Sequence, residues 1–393
     1  MSQVPPIDAA AEGRFSRFEL ISWWDQPRLG RAKVLVVGAG ALGNEIVKNL
    51  ALLGVGNVLV ADMDRIEPSN LSRSVLFRPA DAGRSKAEVA CEAARGIYPQ
   101  IRAHPFVGNV VTDLGLGAYF WADVILGGLD NREARVAVNQ GAALAAKPWI
   151  DGAIEVLSGV ARVFDPARAA CYECTMSAVD WKILESRRSC ALVTRDDMRE
   201  GKVPTTPTTS SIIAGIQVQE AVKRLHGLPG MSGEGLFFDG ASGEVRPVRY
   251  PRKPDCLGHG ECRRLEPLGR GVGDVTVGEL LARARAALGA EAVIGLGRDV
   301  VRRLECPSCG AAEEKFAALG KVTQAEARCP ACGSQRAPVM LLSLGLDEGL
   351  EEMTFGAVGV PPFDVVTARS GDAEVSYLFD GDAGRVLGGL APS

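Results

Sequence analysis

Short apolar runs of strand length alternate with helix-period stretches through the first ~165 residues, which predicts an α/β domain with a mainly parallel sheet. Lys33-Val-Leu-Val-Val37 is a buried-strand run, followed by Gly38-Ala-Gly-Ala-Leu-Gly43 and a helix to about Leu53. Asn57-Val-Leu-Val-Ala61 forms the next strand and ends on Asp62. A helix is expected from Ser85 to Ile97, and a strand from Ala122 to Leu126 that stops near Asp130. Pro148 to Asp151 and Gly159 to Phe164 are further strands.

Periodicity then fails between Cys171 and about Thr209, which predicts a long loop with short helices. A long ordered loop in a compact domain is usually functional. Helical spacing returns from Ser210 to Leu225, with Ile213, Ile216, Val222 and Leu225 on the core face and an N-cap within the Thr-Pro-Thr-Thr-Ser run at 206–210. A strand from Val245 to Tyr250 precedes a Pro-, Gly- and Arg-rich stretch, Pro251 to Gly273, read as the main domain boundary. Beyond it a helix (Thr276 to Leu288), a cysteine-paired module (Cys306 to Cys332) and a strand-rich tail (Val339 to Val386) are expected.

Length and charge narrow the class. A chain of 393 residues suits two or three domains. Its net charge of -4 points to neither nucleic acid nor a membrane surface. No run of 18 apolar residues is present, so no transmembrane helix is expected, and Met1 to Gly13 lacks the basic and apolar regions of a signal peptide. Six of the ten cysteines fall in C-x2-C pairs: Cys171/Cys174, Cys306/Cys309 and Cys329/Cys332. Without a secretory signal such pairs read as metal ligands or redox pairs, and a reducing cytoplasm is the simplest location. The two Cys-x2-Cys-Gly knuckles at 306–310 and 329–333 have the spacing of a zinc ribbon.

The Gly38, Gly40, Gly43 turn between strand and helix is a phosphate-binding fingerprint. Asp62, at a strand end 19 residues after Gly43, suits ribose hydroxyls. These features alone do not separate NAD from ATP, and an oxidoreductase is the competing class. The charged residues after the second strand favour ATP. Asp62-Met-Asp64-Arg-Ile-Glu-Pro-Ser-Asn70-Leu-Ser-Arg73 and then Lys86 place cations and amides beyond the ribose position, as a triphosphate requires. Asp130, at a sheet edge, suits Mg2+.

These residues resemble the ubiquitin-activating superfamily, which includes the ThiF- and MoeB-like enzymes of thiamin and molybdopterin synthesis. The resemblance covers roughly residues 14–262. It rests on Arg14-Phe-Ser-Arg17, Gly38 to Gly43, Asp62-x-Asp64, Ser69-Asn-Leu-Ser-Arg73, Lys86, Asp130-Asn131, the Cys171/Cys174 pair and the Thr-rich stretch before the helix at 210. The Ala-, Arg- and Gly-rich usage fits a bacterial member. The resemblance implies a Rossmann-like adenylation domain in which Asp62 binds the ATP ribose, Asn70, Arg73 and Lys86 hold phosphates, and Asp130 holds magnesium. It also implies that Arg17 reaches into the ATP site of a partner in a homodimer. Many members carry Gln where Ser74 and Phe18 stand here, and neither change removes a charge.

Thioester-forming members carry a cysteine in the loop after the first zinc pair, where this chain has Cys190. Arg187, Arg188 and Arg195 nearby favour its thiolate. Conjugation-type enzymes usually have Thr after this cysteine; here it is Ala191. Cys91 reads as a core thiol. The family adds a second ligand pair to Cys171 and Cys174 after the last strand. Cys256-Leu-Gly-His259-Gly-Glu-Cys262 offers Cys256 with Cys262, the favoured pair, or Cys256 with His259. Two structural Zn2+ sites are therefore expected.

The resulting expectation is an activating enzyme that adenylates the C-terminal Gly of a ubiquitin-like protein, forms a thioester on Cys190 and passes it to a conjugating enzyme's cysteine. A sulfur-carrier adenylyltransferase is the alternative. The expected domains are adenylation (1–255, with the cysteine loop at about 175–209), linker, helix and ribbon (256–338), and a β-rich C-terminal segment (339–393).

Overall fold

A computed structural model describes residues 13–189, 204–345 and 349–392, with the side chains of 183 and 185–189 left out. The N-terminal part holds helices α1 (Ser16–Glu19), α2 (Gln26–Arg31), α3 (Ala41–Leu52), α4 (Lys86–Ile97), α5 (Gly117–Trp121), α6 (Arg132–Leu144), α7 (Ala178–Ser189) and α8 (Pro207–His226). Its strands are β1 (Lys33–Val37), β2 (Asn57–Asp62), β3 (Arg102–Val107), β4 (Val124–Gly127), β5 (Trp149–Glu155), β6 (Ser158–Phe164), β7 (Glu234–Asp239) and β8 (Glu244–Arg249). They form one eight-stranded sheet in the order β3-β2-β1-β4-β5-β6-β7-β8. The first five strands are parallel, and β6, β7 and β8 extend the sheet antiparallel.

The parallel strands are buried on both faces because helices cover each side. Residues of α3, α4 and α8 pack on one face around Ile46, Leu50, Ala90 and Ile213. On the other face Ala118, Tyr119, Val136 and Val138 of α5 and α6 pack on Leu35, Leu59 and Ile125. Local signals set the helix ends. Ser85 caps α4 by accepting the Glu88 N–H, and Thr206 caps α8, which stops at Gly227 with φ +73°.

The C-terminal part comprises β9 (Leu265–Pro267), α9 (Val277–Leu288), β10 (Val293–Glu305), β11 (Ala312–Ala318), β12 (Ala337–Leu344), β13 (Val365–Ser370), β14 (Ala373–Leu378) and α10 (Ala383–Leu387). One sheet runs β11-β10-β13-β14-β9, with β12 also on β10. The expected division between 338 and 339 therefore fails: it cuts through β12, and strands from both sides share the core of α9, Leu296, Val300, Phe355 and Tyr377. Ribbon and tail form one unit from about residue 265.

The chain then returns to the first sheet. Val386, Leu387 and Leu390 are buried with Leu114 and Tyr119 beneath the parallel strands. Gly388 faces His104, whose ring leaves no room for a Cβ, so Leu387-Gly-Gly389 is a packed turn. Leu387→Ala is expected to destabilise the protein by roughly 2–5 kcal/mol, read as a lower urea midpoint in Trp fluorescence.

Candidate functional site

The carboxyl ends of β2, β1 and β4 lie side by side, and the glycine turn joins them. Gly38 has φ +91°, and a Cβ there would stand 2.5 Å from the Gly128 carbonyl oxygen. A Cβ at Gly43 would collide with the Gly38 carbonyl oxygen. Gly128 N–H donates to the Val37 carbonyl at 2.8 Å, and Ala39 N–H to Asp62 Oδ2 at 2.6 Å. The second Asp62 oxygen accepts the Asp64 N–H at 2.7 Å. Burial raises the Asp62 pKa, opposed by the Lys86 charge and by these two N–H groups. Gly40 caps α3 without a side-chain bond, so the first-turn N–H groups of α3 suit an anion.

Lys86, half-buried at the start of α4, places Nζ 2.8 Å from Asp64 Oδ2, and its own N–H donates to the Asp64 carbonyl at 3.0 Å. Arg73 Nη1 donates to the Ser69 carbonyl at 2.9 Å. Asn70 caps a short 3-10 turn by accepting the Glu67 N–H at 3.0 Å, which leaves its NH2 as a donor. Asp130 is exposed just past β4, and Asn131 Nδ2 donates to it at 3.2 Å. The Mg2+ role expected of Asp130 would need few protein ligands, because that ion keeps water and phosphate oxygens.

Two supports escaped sequence reading. Asn44, fully buried on α3, donates to the Ala39 and Gly40 carbonyls at 2.7 and 3.1 Å and accepts the Leu76 N–H at 2.9 Å. It thereby ties the turn to the segment after Arg73. Its only sequence signal is an amide on the buried face of a helix. The second support is Asp151, fully buried at β5 between Arg135 and Arg162. Arg135 also donates to the Leu129 carbonyl at 2.5 Å, next to Asp130. A carboxylate within an apolar strand was the available signal.

Arg17 is exposed on α1. That helix is held by Arg14 Nη2 on the Ile97 carbonyl at 2.7 Å and by Phe15 against Tyr98. Ile97 ends α4 at the edge of the sheet opposite the turn. Cys190 lies outside the described residues. Cys91 is fully buried in α4, and burial pushes its thiol up to about 12.

The cysteine groups assemble as two tetrads. Cys306 pairs with Cys332 at 3.5 Å and Cys309 with Cys329 at 3.6 Å, in the expected ribbon. Cys171 Sγ lies 3.8 Å from Cys174 and 3.7 Å from Cys256. The fourth member is His259, with Nε2 3.1 Å from Cys174 Sγ. The favoured Cys262 is not part of this cluster. It lies three residues further on, and its N–H donates to the Leu144 carbonyl, whereas the turn at Leu257–His259 brings the imidazole back. His259 Nδ1 is 3.2 Å from the Pro166 carbonyl, the contact that orients a ligating ring. Tetrahedral Zn2+ with Zn–S near 2.3 Å sets S–S at about 3.8 Å, so both tetrads fit that ion.

Residues 13–258 match the sequence profile of the ThiF family. The chain belongs to the ThiF family. It is 31% identical over 268 residues to the mouse (Mus musculus) adenylyltransferase and sulfurtransferase MOCS3, covering 65% of this chain and 56% of that protein. It is 38% identical over 157 residues to the NEDD8-activating enzyme E1 catalytic subunit of Schizosaccharomyces pombe, covering 39% of this chain and 35% of that one. The chain thus spans little more than half of the first relative's length. In fold, the ThiF domain is similar to E. coli MccB crystallised with AMPCPP and SeMet MccA, with a TM-score of 0.53 and 23% identity over 64% of this chain and 75% of that one. Among the described residues no helix is long and apolar enough to cross a membrane.

Purified chain is expected to carry two zinc ions, one per tetrad. Cys262→Ser should leave that content unchanged and His259→Ala should lower it, both measured by elemental mass spectrometry. The reverse pattern would return Cys262 to the cluster.

Proposed function

We propose that this chain uses ATP to activate the C-terminal glycine carboxylate of a ubiquitin-like protein and holds the acyl group on Cys190 for transfer to a conjugating enzyme's cysteine. The observation that carries the first half is the stitched edge of β2, β1 and β4, where the glycine turn is bonded to Asp62, Lys86 to Asp64, and Asp130 stands just past β4. The ThiF match supports the same reading.

Asp62 binds the ribose hydroxyls, while Asn70, Arg73 and Lys86 orient the phosphates and offset their charge. One oxygen of the carrier's carboxylate attacks the α-phosphorus. A new P–O bond forms, the bond to the bridging oxygen breaks, and pyrophosphate leaves with that electron pair. Asp130 would hold Mg2+, which would supply positive charge against the phosphates. Most of the acceleration comes from positioning and from cations fixed before the charge develops. The Cys190 thiolate then attacks the acyl carbon, and AMP departs with the electrons of the broken acyl–oxygen bond.

Arg17 completes the site in a homodimer. Helix α3 is 12 residues long, or about 18 Å, and separates the turn from the edge where α1 packs. An arginine held there serves the phosphates of a second copy more readily than its own. Use of ATP and of a reduced Cys190 thiol would favour a cytoplasmic location.

The mouse relative's description as a sulfurtransferase favours one second reading, in which the adenylate leads to a thiocarboxylate. Intact-mass measurement with Mg-ATP and candidate carriers ending in Gly separates the two. Conjugation predicts a reductant-sensitive adduct that Cys190→Ala abolishes. AMP and pyrophosphate without a thiol adduct would favour the sulfur route. Lys86→Ala should lower carrier-dependent pyrophosphate exchange roughly 10²-fold or more, and unchanged exchange would remove Lys86 from the site.

A further inference from the structure

Residues beyond 264 lie outside the segment matched to the ThiF family, and the proposed chemistry does not use them. They nevertheless pack on the ThiF domain, by apolar contact through Val386, Leu387 and Leu390 and by polar contacts at the segment 108–117 between β3 and α5. We propose that the C-terminal unit positions the nucleotide-binding edge through this segment, with Arg298, Lys321 and Asp364 as positioning residues. The proposal rests on the ATP reading of that edge.

The segment begins beside that edge. Val107, the last residue of β3, pairs in register with Asp62. Adjacent strands run about 5 Å apart, so Gly108 and Asn109 start next to the proposed ribose ligand. Internal bonds give the segment its shape. Asn109 N–H donates to Asp113 Oδ2 at 2.8 Å, and Val111 N–H to Asn109 Oδ1 at 2.9 Å. At its far end α5 leads to the amino end of β4, on the opposite edge of the sheet. The start of the segment is therefore the part that abuts the nucleotide-binding edge.

Among the described residues, the polar contacts that reach it from distant parts of the chain come from the C-terminal unit. Lys321 Nζ lies 2.5 Å from Asp113 Oδ1, the residue that shapes the start of the segment. Arg298 donates to the Thr112 carbonyl at 3.1 Å and pairs with Asp364 Oδ2 at 2.6 Å. The other Asp364 oxygen accepts the Leu116 N–H at 2.8 Å, and the Phe363 carbonyl accepts the Gly117 N–H at 2.8 Å. The Leu116 and Gly117 N–H groups at the start of α5 are thus satisfied from outside the ThiF domain, and that of Ala118 by the Gly115 carbonyl within it. The approach is close: a Cβ on Gly115 would collide with the Pro362 carbonyl oxygen, and one on Gly117 would stand 2.5 Å from that of Phe363.

A released segment samples conformers in which that edge is not competent, and apparent affinity falls with the competent fraction. Nucleotide affinity should therefore depend on contacts that touch no nucleotide. The test is calorimetric titration of the full chain with the α,β-methylene analogue of ATP and Mg2+, with hydrogen exchange followed over 108–117. Arg298→Ala should raise Kd roughly 3- to 10-fold, equivalent to 10–33% competence, with faster exchange in the segment. Lys321→Glu should also raise Kd, whereas Lys321→Arg, which keeps a cation against Asp113, should leave it unchanged. The pair reads the charge at position 321 and not general stability, and it decides the matter if Arg298→Ala does not fold. Faster exchange with unchanged Kd, or Lys321→Glu and Lys321→Arg alike in Kd, would overturn the clamp. Failure of the unaltered chain to bind the analogue would instead overturn the ATP reading itself.

Discussion

The bond from the Ala39 N–H to the Asp62 carboxylate is the constraint on which the ThiF domain's chemistry depends. It fixes the turn after β1 against the end of β2, while the contact of Gly38 with Gly128 fixes the same turn against β4. The second junction admits no side chain, since a Cβ on Gly38 would stand 2.5 Å from the Gly128 carbonyl oxygen. Once the turn is set, the start of α3 has one direction in which to point its free N–H groups. Asn44 then transmits that position to Leu76, and hence to the segment bearing Asn70 and Arg73. Lys86 enters through its own bond to Asp64, two residues past Asp62. A cluster of charges on four separate segments thus inherits its geometry from one glycine turn.

The Cys171, Cys174, Cys256 and His259 tetrad imposes a second constraint at long range. It joins the start of the segment leading to α7 with the chain just after β8, 85 residues away in sequence. Metal at such a site contributes directly to folding, because the ligands converge only in the folded chain. Its place is telling: the long segment expected to carry the nucleophile begins a few residues after Cys174. The metal would anchor the root of that segment without taking part in its chemistry.

Parallel strands were legible because both their faces are buried, and runs such as Lys33 to Val37 admit no other reading. Strand β3 was not, since Arg102-Ala-His-Pro-Phe-Val107 lies at the sheet edge, where Pro105 is tolerated and burial is incomplete. Helix α6 opens Arg-Glu-Ala-Arg, and its buried small residues leave a weak apolar stripe. Strand β10 is interrupted by Gly295, Gly297 and several arginines, which hid the sheet joining ribbon to tail. Asp62 and Asp130 were legible as residues at or just past strand ends, which is where the structure has them. The choice between Cys262 and His259 was not, because it turns on a single 3-10 turn. Supports such as Asn44 and Asp151 were invisible for a related reason: their partners lie across the fold, and no local spacing encodes them.

The contact between the two units is specified by polar groups more than by apolar area. Asp364 is fully buried, and a buried carboxylate is costly unless it is paired and hydrogen-bonded. Here it has Arg298 on one oxygen and the Leu116 N–H on the other, so its cost is offset only when the 108–117 segment occupies its seat. Apolar packing by Leu387 and Leu390 would tolerate small displacements; a carboxylate shared between an arginine and the Leu116 N–H tolerates few. The same geometry that holds the C-terminal unit in place therefore also selects one conformation of the segment beside Asp62. Docking and positioning are one interaction viewed from its two sides.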